Sequence, residues 1–411
     1  MTATALQQEE HLPEAIVCKW CGKSFHYLKS HISMGRCENI PESAKGLDVD
    51  EVVKMYTTAF PDEPTISRTA LAKLNEKRAE KHSGEGKVAE ISAHPGYAGT
   101  VEYTTELVAA HELLGVTIKE LGTPRGKPLQ VTVNVNTPYP EFVPEAKKNY
   151  VYGDFDLIKD IFMMLEIGIP GYLWGHAGTG KSSLPTQLCA LLNRPLIRAQ
   201  HTASMEEAHV TGQILARDGS TYFEPGLLAL AMKNGWVYLA DEYDFAFPQI
   251  LGVYQPVLEG EPLIIKEATP DWRRITPHKR FTFIGTGNTN GSGDETGLYQ
   301  GTNIQNAANF SRFGIVSNVK YMSTKAEVNM LAEAGVIREY AEKMVKFANL
   351  VREGYEQHLI SQPIGPRELL LSAKIGMMRG DFSAGIEKSF INKLPSTSAQ
   401  AAREVVQKIF G

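Results

Sequence analysis

The sequence predicts an α/β fold: a parallel sheet flanked by helices, then an α-helical lid domain, with a small zinc-binding module in front. Three observations predict it. From about residue 150, short apolar runs alternate with helix-length segments, as βα units require. One run leads straight into a glycine-rich loop and a helix. Three of the 4 cysteines fall between positions 18 and 37, in a cluster of their own.

The size supports several parts. At roughly 150 residues per domain, 411 residues make two or three domains. Hydrophobic residues are 43% and charged residues 22%, ordinary for a globular chain, which sets aside disordered, collagen-like and coiled-coil classes. The net charge of −5 argues against a protein coated in basic charge for bulk nucleic-acid binding. No apolar run approaches the ~20 residues of a membrane helix, so no membrane contact is expected. The N-terminus, MTATALQQEEHLPEA, lacks the basic and apolar stretches of a secretory signal. Clustered cysteines without a disulfide framework suit a reducing compartment, and the expected location is cytoplasmic.

In chain order, residues 1–45 hold the cysteine module. Residues 46–99 read as a helical segment and linker, with Val52, Val53, Met55 and Tyr56 in a first helical stretch and Leu71 and Leu74 in a second. The charged, glycine-containing 77–90 is the linker. Residues 100–149 form a small β-containing segment, in which VTVNVNT (131–137) alternates apolar and polar as a strand does. Residues 150–322 carry the sheet, with strands expected at 171–175, 195–200, 236–242, 280–288 and 313–322. Residues 323–411 read as helices divided at Gly335 and 362–366. Ile337, Tyr340, Met344, Ala348 and Val351 fall at helical spacing and predict one buried stripe.

The loop is Gly175-His176-Ala177-Gly178-Thr179-Gly180-Lys181-Ser182, with Ser183 next, and matches G-x-x-x-x-G-K-[ST]. Glycines let the backbone curl so that its N–H groups face a polyphosphate, and the helix N-terminus adds partial positive charge. Lys181 is placed to reach the β- and γ-phosphates and Ser182 to hold Mg²⁺. Pro185 sits in the first turns of the following helix, where it removes a donor and threatens the turn. Cys189 on that helix reads as core packing.

Downstream, WVYLADE is an apolar strand that ends in Asp241 and Glu242. Behind a phosphate loop these two carboxylates are candidates to hold Mg²⁺ and to polarise the attacking water. Asn288 ends the next strand and could orient water. Arg312 in NFSRF and Arg367 in IGPREL matter because phosphoryl transfer needs cationic stabilisation, worth about 10³–10⁵ in rate for an arginine finger.

In this order the motifs resemble those of AAA+ ATPases: Walker A, Walker B (Asp241, Glu242), sensor 1 (Asn288), arginine finger (Arg312) and sensor 2 (Arg367), over about residues 150–395. Within that superfamily the chain resembles the MoxR and chelatase clade. Residues 212–235 look like its helix-2 insert and 258–281 like its hairpin before sensor 1. LADEYDFAFPQILGVYQPVLEG (239–260) and GTGNTNGSGDETGLYQGTNIQNAANFSRFGIV (285–316) are most similar to the ATPase subunits of aerobic cobaltochelatases, the CobS family. The resemblance implies ATP and Mg²⁺ as cofactors and a homo-oligomeric ring, six subunits in the family. ATP would sit between subunits, with Arg312 reaching the neighbour's nucleotide. The implied partners are a subunit with a von Willebrand A-type domain and a large chelatase subunit that inserts Co²⁺ into a corrin precursor. A MoxR-type remodelling ATPase outside cobalamin synthesis is the alternative.

The N-terminal cluster reads Cys18-x2-Cys21-x9-His31-x5-Cys37, a spacing that suits tetrahedral Zn²⁺, with His26 as an alternative ligand. CGKSFHYLKSH resembles the short fingers of MucR/Ros-type bacterial regulators. Lys19, Lys23, Lys29 and Arg36 surround Trp20, Phe25 and Tyr27. That pattern allows nucleic-acid contact, but a protein-docking or structural module is favoured in an acidic chain.

Overall fold

The computed structural model describes residues 13–33, 35–45, 47–61, 63–70, 102–217 and 220–411. The chain divides into two units, Met1–Ile91 and Ser92–Gly411. The second expected helical stretch, at Leu71 and Leu74, and the 77–90 linker lie outside the described residues.

In the first unit, β1 (Ile16–Val17) pairs antiparallel with β2 (Ser24–Phe25). The turn between them is pinned where Cys18 N–H donates to the Lys23 carbonyl at 2.9 Å. Helix α1 (Leu28–Ser33) follows. Helix α2 (Val49–Ala59) starts at Asp48, whose side chain accepts the Asp50 N–H. Val52 and Tyr56, four apart on one face of α2, are buried in one cluster with Ile16, Phe25, Leu28 and Ile32. Tyr56 is edge-on to Trp20, and Phe25 stacks on the His31 ring at 5.3 Å. Phe25 and the half-buried Trp20 therefore join a small core, whereas Tyr27 stays exposed.

In the second unit, β3 (Thr105–Ala109) pairs antiparallel with β4 (Gln130–Asn134), the strand expected from its alternation. Helix α3 (Phe155–Ile167) precedes β5 (Gly171–Trp174), and α4 (Ser183–Leu191) follows the loop. Next come β6 (Leu196–Gln200), the hairpin β7 (Gly212–Arg217) and β8 (Ser220–Pro225), α5 (Leu227–Asn234) and β9 (Val237–Asp241). The short hairpin β10 (Leu263–Ile264) and β11 (Arg274–Ile275), β12 (Thr282–Gly287) and β13 (Ile315–Asn318) complete the strands.

All five strands expected between 171 and 322 are present and make one parallel sheet, ordered β13-β5-β12-β9-β6. The central strands β9 and β12 are buried on both faces, whereas the edge strand β13 is partly exposed, with Val316 facing out. Neighbouring residues pass to opposite sides, so Tyr172, Tyr238 and Phe283 pack in one apolar layer while Leu173, Leu239 and Ile284 pack in the other with α3 and α4. Cys189 belongs to that second layer and is fully buried. Parallel order brings the C-terminal ends of β5, β9 and β12 to one edge, where such sheets bind ligands.

The C-terminal region is helical: α6 (Thr324–Glu333), α7 (Arg338–Glu356), α8 (Pro366–Arg379), α9 (Phe382–Ser389) and α10 (Ser396–Phe410). The expected stripe on α7 needs correction. Met344, Ala348 and Val351 are buried, but Ile337 is 69% and Tyr340 37% exposed. Ile337 caps the helix instead of lying on it, and the buried face begins at Ala341. Among the described residues, no helix is long and apolar enough to cross a membrane.

Candidate nucleotide-binding site

The loop leaves β5 through Gly175, whose φ of +149° and closeness to the Val319 carbonyl exclude a side chain; a Cβ there would stand 2.4 Å from that oxygen. The N–H groups of Gly178, Gly180, Lys181 and Ser182 have no acceptor among the described residues. A run of open donors at a helix N-terminus is the arrangement that binds a polyphosphate. Lys181 is buried and its Nζ donates to the carbonyls of Gly175 (2.7 Å) and His176 (2.9 Å) and to Asn288 Oδ1 (3.0 Å). Burial holds the Lys181 ammonium down, to about 8. Thr179 and Ser183 brace the loop, through hydroxyls that donate to the carbonyls of His176 and Gly180. Pro185 is the third residue of α4, where a backbone donor has no intrahelical acceptor, so it does not break the helix.

Asp241 ends β9 and faces the loop. Its Oδ1 accepts the hydroxyls of Ser182 and Thr286, each at 2.5 Å, and its Oδ2 accepts Arg198 Nε at 2.6 Å and Arg198 Nη2. Burial pushes the carboxyl up, but the hydroxyl hydrogen bonds and the guanidinium outweigh it and hold Asp241 below its ordinary value. Glu242 occupies the left-handed region at φ +53°, a conformation costly for a non-glycine residue. Its Oε2 accepts Gln200 Nε2. Burial, then the charges of Asp241 and Asp244, raise Glu242 above the usual carboxylate range. Asp244 is fully buried and its Oδ2 accepts the N–H groups of Asn288 (2.8 Å) and Thr289 (3.0 Å). That fixes the end of β12 and presents Asn288 to Lys181.

The two arginines part company. Arg367 opens α8 and lines a cavity of about 300 Å³ with Ala177, Gly178, Tyr299, Tyr321 and Glu368. A Cβ on Gly178 would lie 3.4 Å from that of Arg367, so the lid residue touches the loop. Arg312 does not join this cluster. It forms an exposed pair with Glu259 at 2.7 Å and donates to the Ala308 carbonyl. Of the other cations on the preceding stretch, Arg280 donates to Asn134 Oδ1 at 2.8 Å and Arg273 to the Ala268 carbonyl.

Sequence reasoning missed Arg198 and Tyr299. Arg198 stands on β6 at an exposed position of a strand otherwise mostly buried, which was the available signal. Tyr299 lies in GDETGLYQGT, a phrase used for its family likeness and not for its chemistry.

In the first unit, the ligand atoms of Cys18, Cys21, His31 and Cys37 all lie within 4.8 Å of one another. The Cys18 and Cys37 sulfurs are 3.8 Å apart, and Cys21 Sγ is 3.3 Å from His31 Nε2. Four Zn–S bonds of about 2.3 Å at tetrahedral angles place sulfurs about 3.8 Å apart, so this donor set fits a tetrahedral ion. His26 is not in the cluster; its Nδ1 bonds with the Ser67 hydroxyl. Lys19, Lys23 and Lys29 pair with Glu63, Glu38 and Asp50.

A strand-borne phosphate loop, a facing Asp-Glu pair on a parallel sheet and a helical lid against the loop define a P-loop ATPase of the AAA class. The family model "AAA domain (dynein-related subfamily)" matches residues 172–302. Aerobic cobaltochelatase subunit CobS of Sinorhizobium sp. is 32% identical over 249 residues, which is 58% of this chain and 74% of the relative. An uncharacterized protein of Staphylococcus aureus (strain NCTC 8325 / PS 47) is 23% identical over 264 residues, 62% of this chain and 96% of its own. Among solved structures, the Thermotoga maritima RuvB Holliday junction branch migration motor has a TM-score of 0.38 at 13% identity, over 65% of this chain and 72% of that one. The chain belongs to the family of AAA ATPases that includes CobS, and carries in addition an N-terminal Cys3His cluster.

Proposed function

We propose that this protein is the ATP-hydrolysing motor subunit of a homo-oligomeric, six-membered ring that remodels a partner complex. The observation that carries the reading is the join between loop and strand, in which Ser182 and Asp241 share a hydrogen bond beside the open N–H groups. Ser182 and Asp241 would hold Mg²⁺, and Lys181 and the loop N–H groups the β- and γ-phosphates of ATP. The bound Mg²⁺ supplies charge neutralisation at the phosphates. Glu242, raised by burial and by neighbouring carboxylates, takes the proton of the attacking water. Asn288 orients that water. The water oxygen bonds to the γ-phosphorus as the bond to the ADP oxygen breaks. Arg367 acts from the lid and Arg312 from a neighbouring subunit.

Likeness to CobS supports a chelatase as the client, with a von Willebrand A-type subunit and a large subunit that inserts Co²⁺ into a corrin precursor. The N-terminal module supports a second reading: a MoxR-type remodelling ATPase outside cobalamin synthesis, whose client is recruited by a Zn²⁺-bound Cys3His finger. Pairing of Lys19, Lys23 and Lys29 with carboxylates weighs against nucleic acid as the finger's partner. Cysteines gathered as metal ligands and not joined in disulfides support a cytoplasmic location.

The test is reconstitution of corrin metallation with the von Willebrand A-type and large subunits, using wild-type protein, Lys181→Ala and Glu242→Gln. Metallation that needs ATP and fails with both variants supports the chelatase motor. Full metallation with Lys181→Ala removes it. ATP hydrolysis without any metallation by the wild type moves the assignment to the remodelling ATPase.

A further inference from the structure

Segment 291–305 is braced within itself and hydrogen-bonds to the phosphate loop through Tyr299. Asp294 accepts the N–H groups of Thr296 (3.0 Å) and Tyr299 (2.7 Å), and Tyr299 in turn accepts the Thr302 N–H at its carbonyl (3.1 Å). Asn303 anchors the far end: its N–H donates to the Asp244 carbonyl at 2.7 Å, and its amide to the carbonyls of Phe245 and Ala246. The Tyr299 ring is thereby held over the loop. Its hydroxyl accepts the Ala177 N–H at 3.1 Å and lies 2.9 Å from His176 Nδ1. With Ala177 on an oxygen lone pair, the hydroxyl hydrogen is free to point at the ring nitrogen. The His176 ring is also stacked on Tyr321, with a 2° interplanar angle, and edge-on to Tyr355.

We propose that Tyr299 is a positioning residue for the polyphosphate of the bound nucleotide. Its hydroxyl takes the Ala177 N–H and pins His176. The N–H groups of Gly178, Gly180, Lys181 and Ser182, which have no acceptor among the described residues, stay open on a loop already held in place before the ligand arrives. A loop that must order itself on binding loses affinity to that ordering, and a preformed loop does not. Tyr299 acts through residues 176–177 and does not take part in the chemical step. The proposal rests on the nucleotide reading of the loop.

The test compares Tyr299→Phe with the full-length wild type for binding of ATP, ADP and adenosine, with steady-state ATP hydrolysis and a melting curve alongside. Loss of one neutral hydrogen bond at the loop is expected to weaken ATP and ADP about three- to tenfold. Adenosine affinity and the melting temperature should stay as in the wild type, and the change in hydrolysis should fall on KM and not on kcat. Unchanged ATP affinity in Tyr299→Phe overturns the proposal while leaving the nucleotide reading intact. An equal loss for adenosine, or a lower melting temperature with losses for every ligand, also overturns it, because either marks a general packing effect. A wild type that binds no ATP overturns the nucleotide reading and the proposal together.

Discussion

Lys181 donates to two loop carbonyls and to Asn288, and none of its hydrogen bonds goes to a carboxylate. Asp241, Glu242 and Asp244 act on it only at longer range. Such an ammonium is buried, satisfied and still able to trade neutral acceptors for phosphate oxygens. Glu242 differs in kind. Its left-handed backbone sets the side chain at the end of β9, where the carboxylate accepts Gln200 Nε2. The two residues should therefore separate in a binding assay. Lys181→Ala is expected to lose ATP binding and hydrolysis together. Glu242→Gln is expected to keep ATP affinity within a few-fold while hydrolysis falls about 10²–10⁴-fold, the usual value of a positioned base. Fluorescent-nucleotide titration and phosphate release measure the two halves, and parallel losses in Glu242→Gln would remove it as the base. Arg198 and Tyr299 show what a linear reading cannot reach. Arg198 meets its carboxylate 43 residues downstream, and Tyr299 meets His176 across 123 residues. The motif residues were legible because each lies within a local pattern that has a chemical meaning of its own. A tyrosine hydroxyl has none until the fold supplies its partner.

At the scale of elements, the five sheet strands were readable because each is a short apolar-rich run between helix-length segments, as a parallel sheet requires. Their lateral order was not, since any parallel order satisfies the same alternation. Strand β3 was missed as well: only its last residue, Ala109, is buried, so TELVA carries little apolar signal. Ile337 and Tyr340 were misplaced because periodicity does not mark where a helix starts. His201 follows β6, fully buried, and its Nδ1 lies 3.0 Å from the Ala199 carbonyl. A carbonyl only accepts, so Nδ1 carries the hydrogen and Nε2 accepts the Tyr254 hydroxyl at 2.7 Å. Tyr254 in turn accepts that of Tyr238 at 2.9 Å. Burial holds His201 down to about 4, against about 6.5 in an unfolded chain. Between those values the unfolded chain binds the extra proton and the native one does not, so stability falls as pH drops through that window. A drop from pH 7 to 4.5 should cost roughly 2–3 kcal/mol at this residue. Urea titrations should show that part of the slope missing in His201→Gln, and an unchanged slope would show that other groups carry it.

The whole molecule joins a unit built around four ligand atoms to a unit with large apolar cores of its own. The core of the first unit is small, and Cys18 and Cys37 are themselves part of it. Removal of zinc, which contributes an apparent ~10–16 kcal/mol in finger peptides, is therefore expected to unfold this unit. Metal analysis should find one zinc per chain. Chelation should abolish its near-ultraviolet signal from Trp20 and Tyr56 while basal ATP hydrolysis persists; hydrolysis lost at the same chelator concentration would mean that the second unit depends on the first. Arg312 raises the remaining question, which only an assembly answers. Within one chain it is spent on Glu259, an exposed pair worth about 0–1 kcal/mol, and on a carbonyl, with no loop residue among these partners. So weak a pair is easily exchanged for a neighbour's γ-phosphate. Arg312→Ala should then bind ATP normally and hydrolyse it about 10³-fold or more slowly. Mixing separates a finger that acts across subunits from one that acts at home. A ring containing Arg312→Ala and Glu242→Gln subunits has some sites where an intact Glu242 on one chain faces an intact Arg312 on the next. If the arginine acts in trans, two nearly inactive preparations should regain hydrolysis on mixing. If it acts within its own chain, every site in the mixture lacks one group or the other, and the mixture stays as slow as its components.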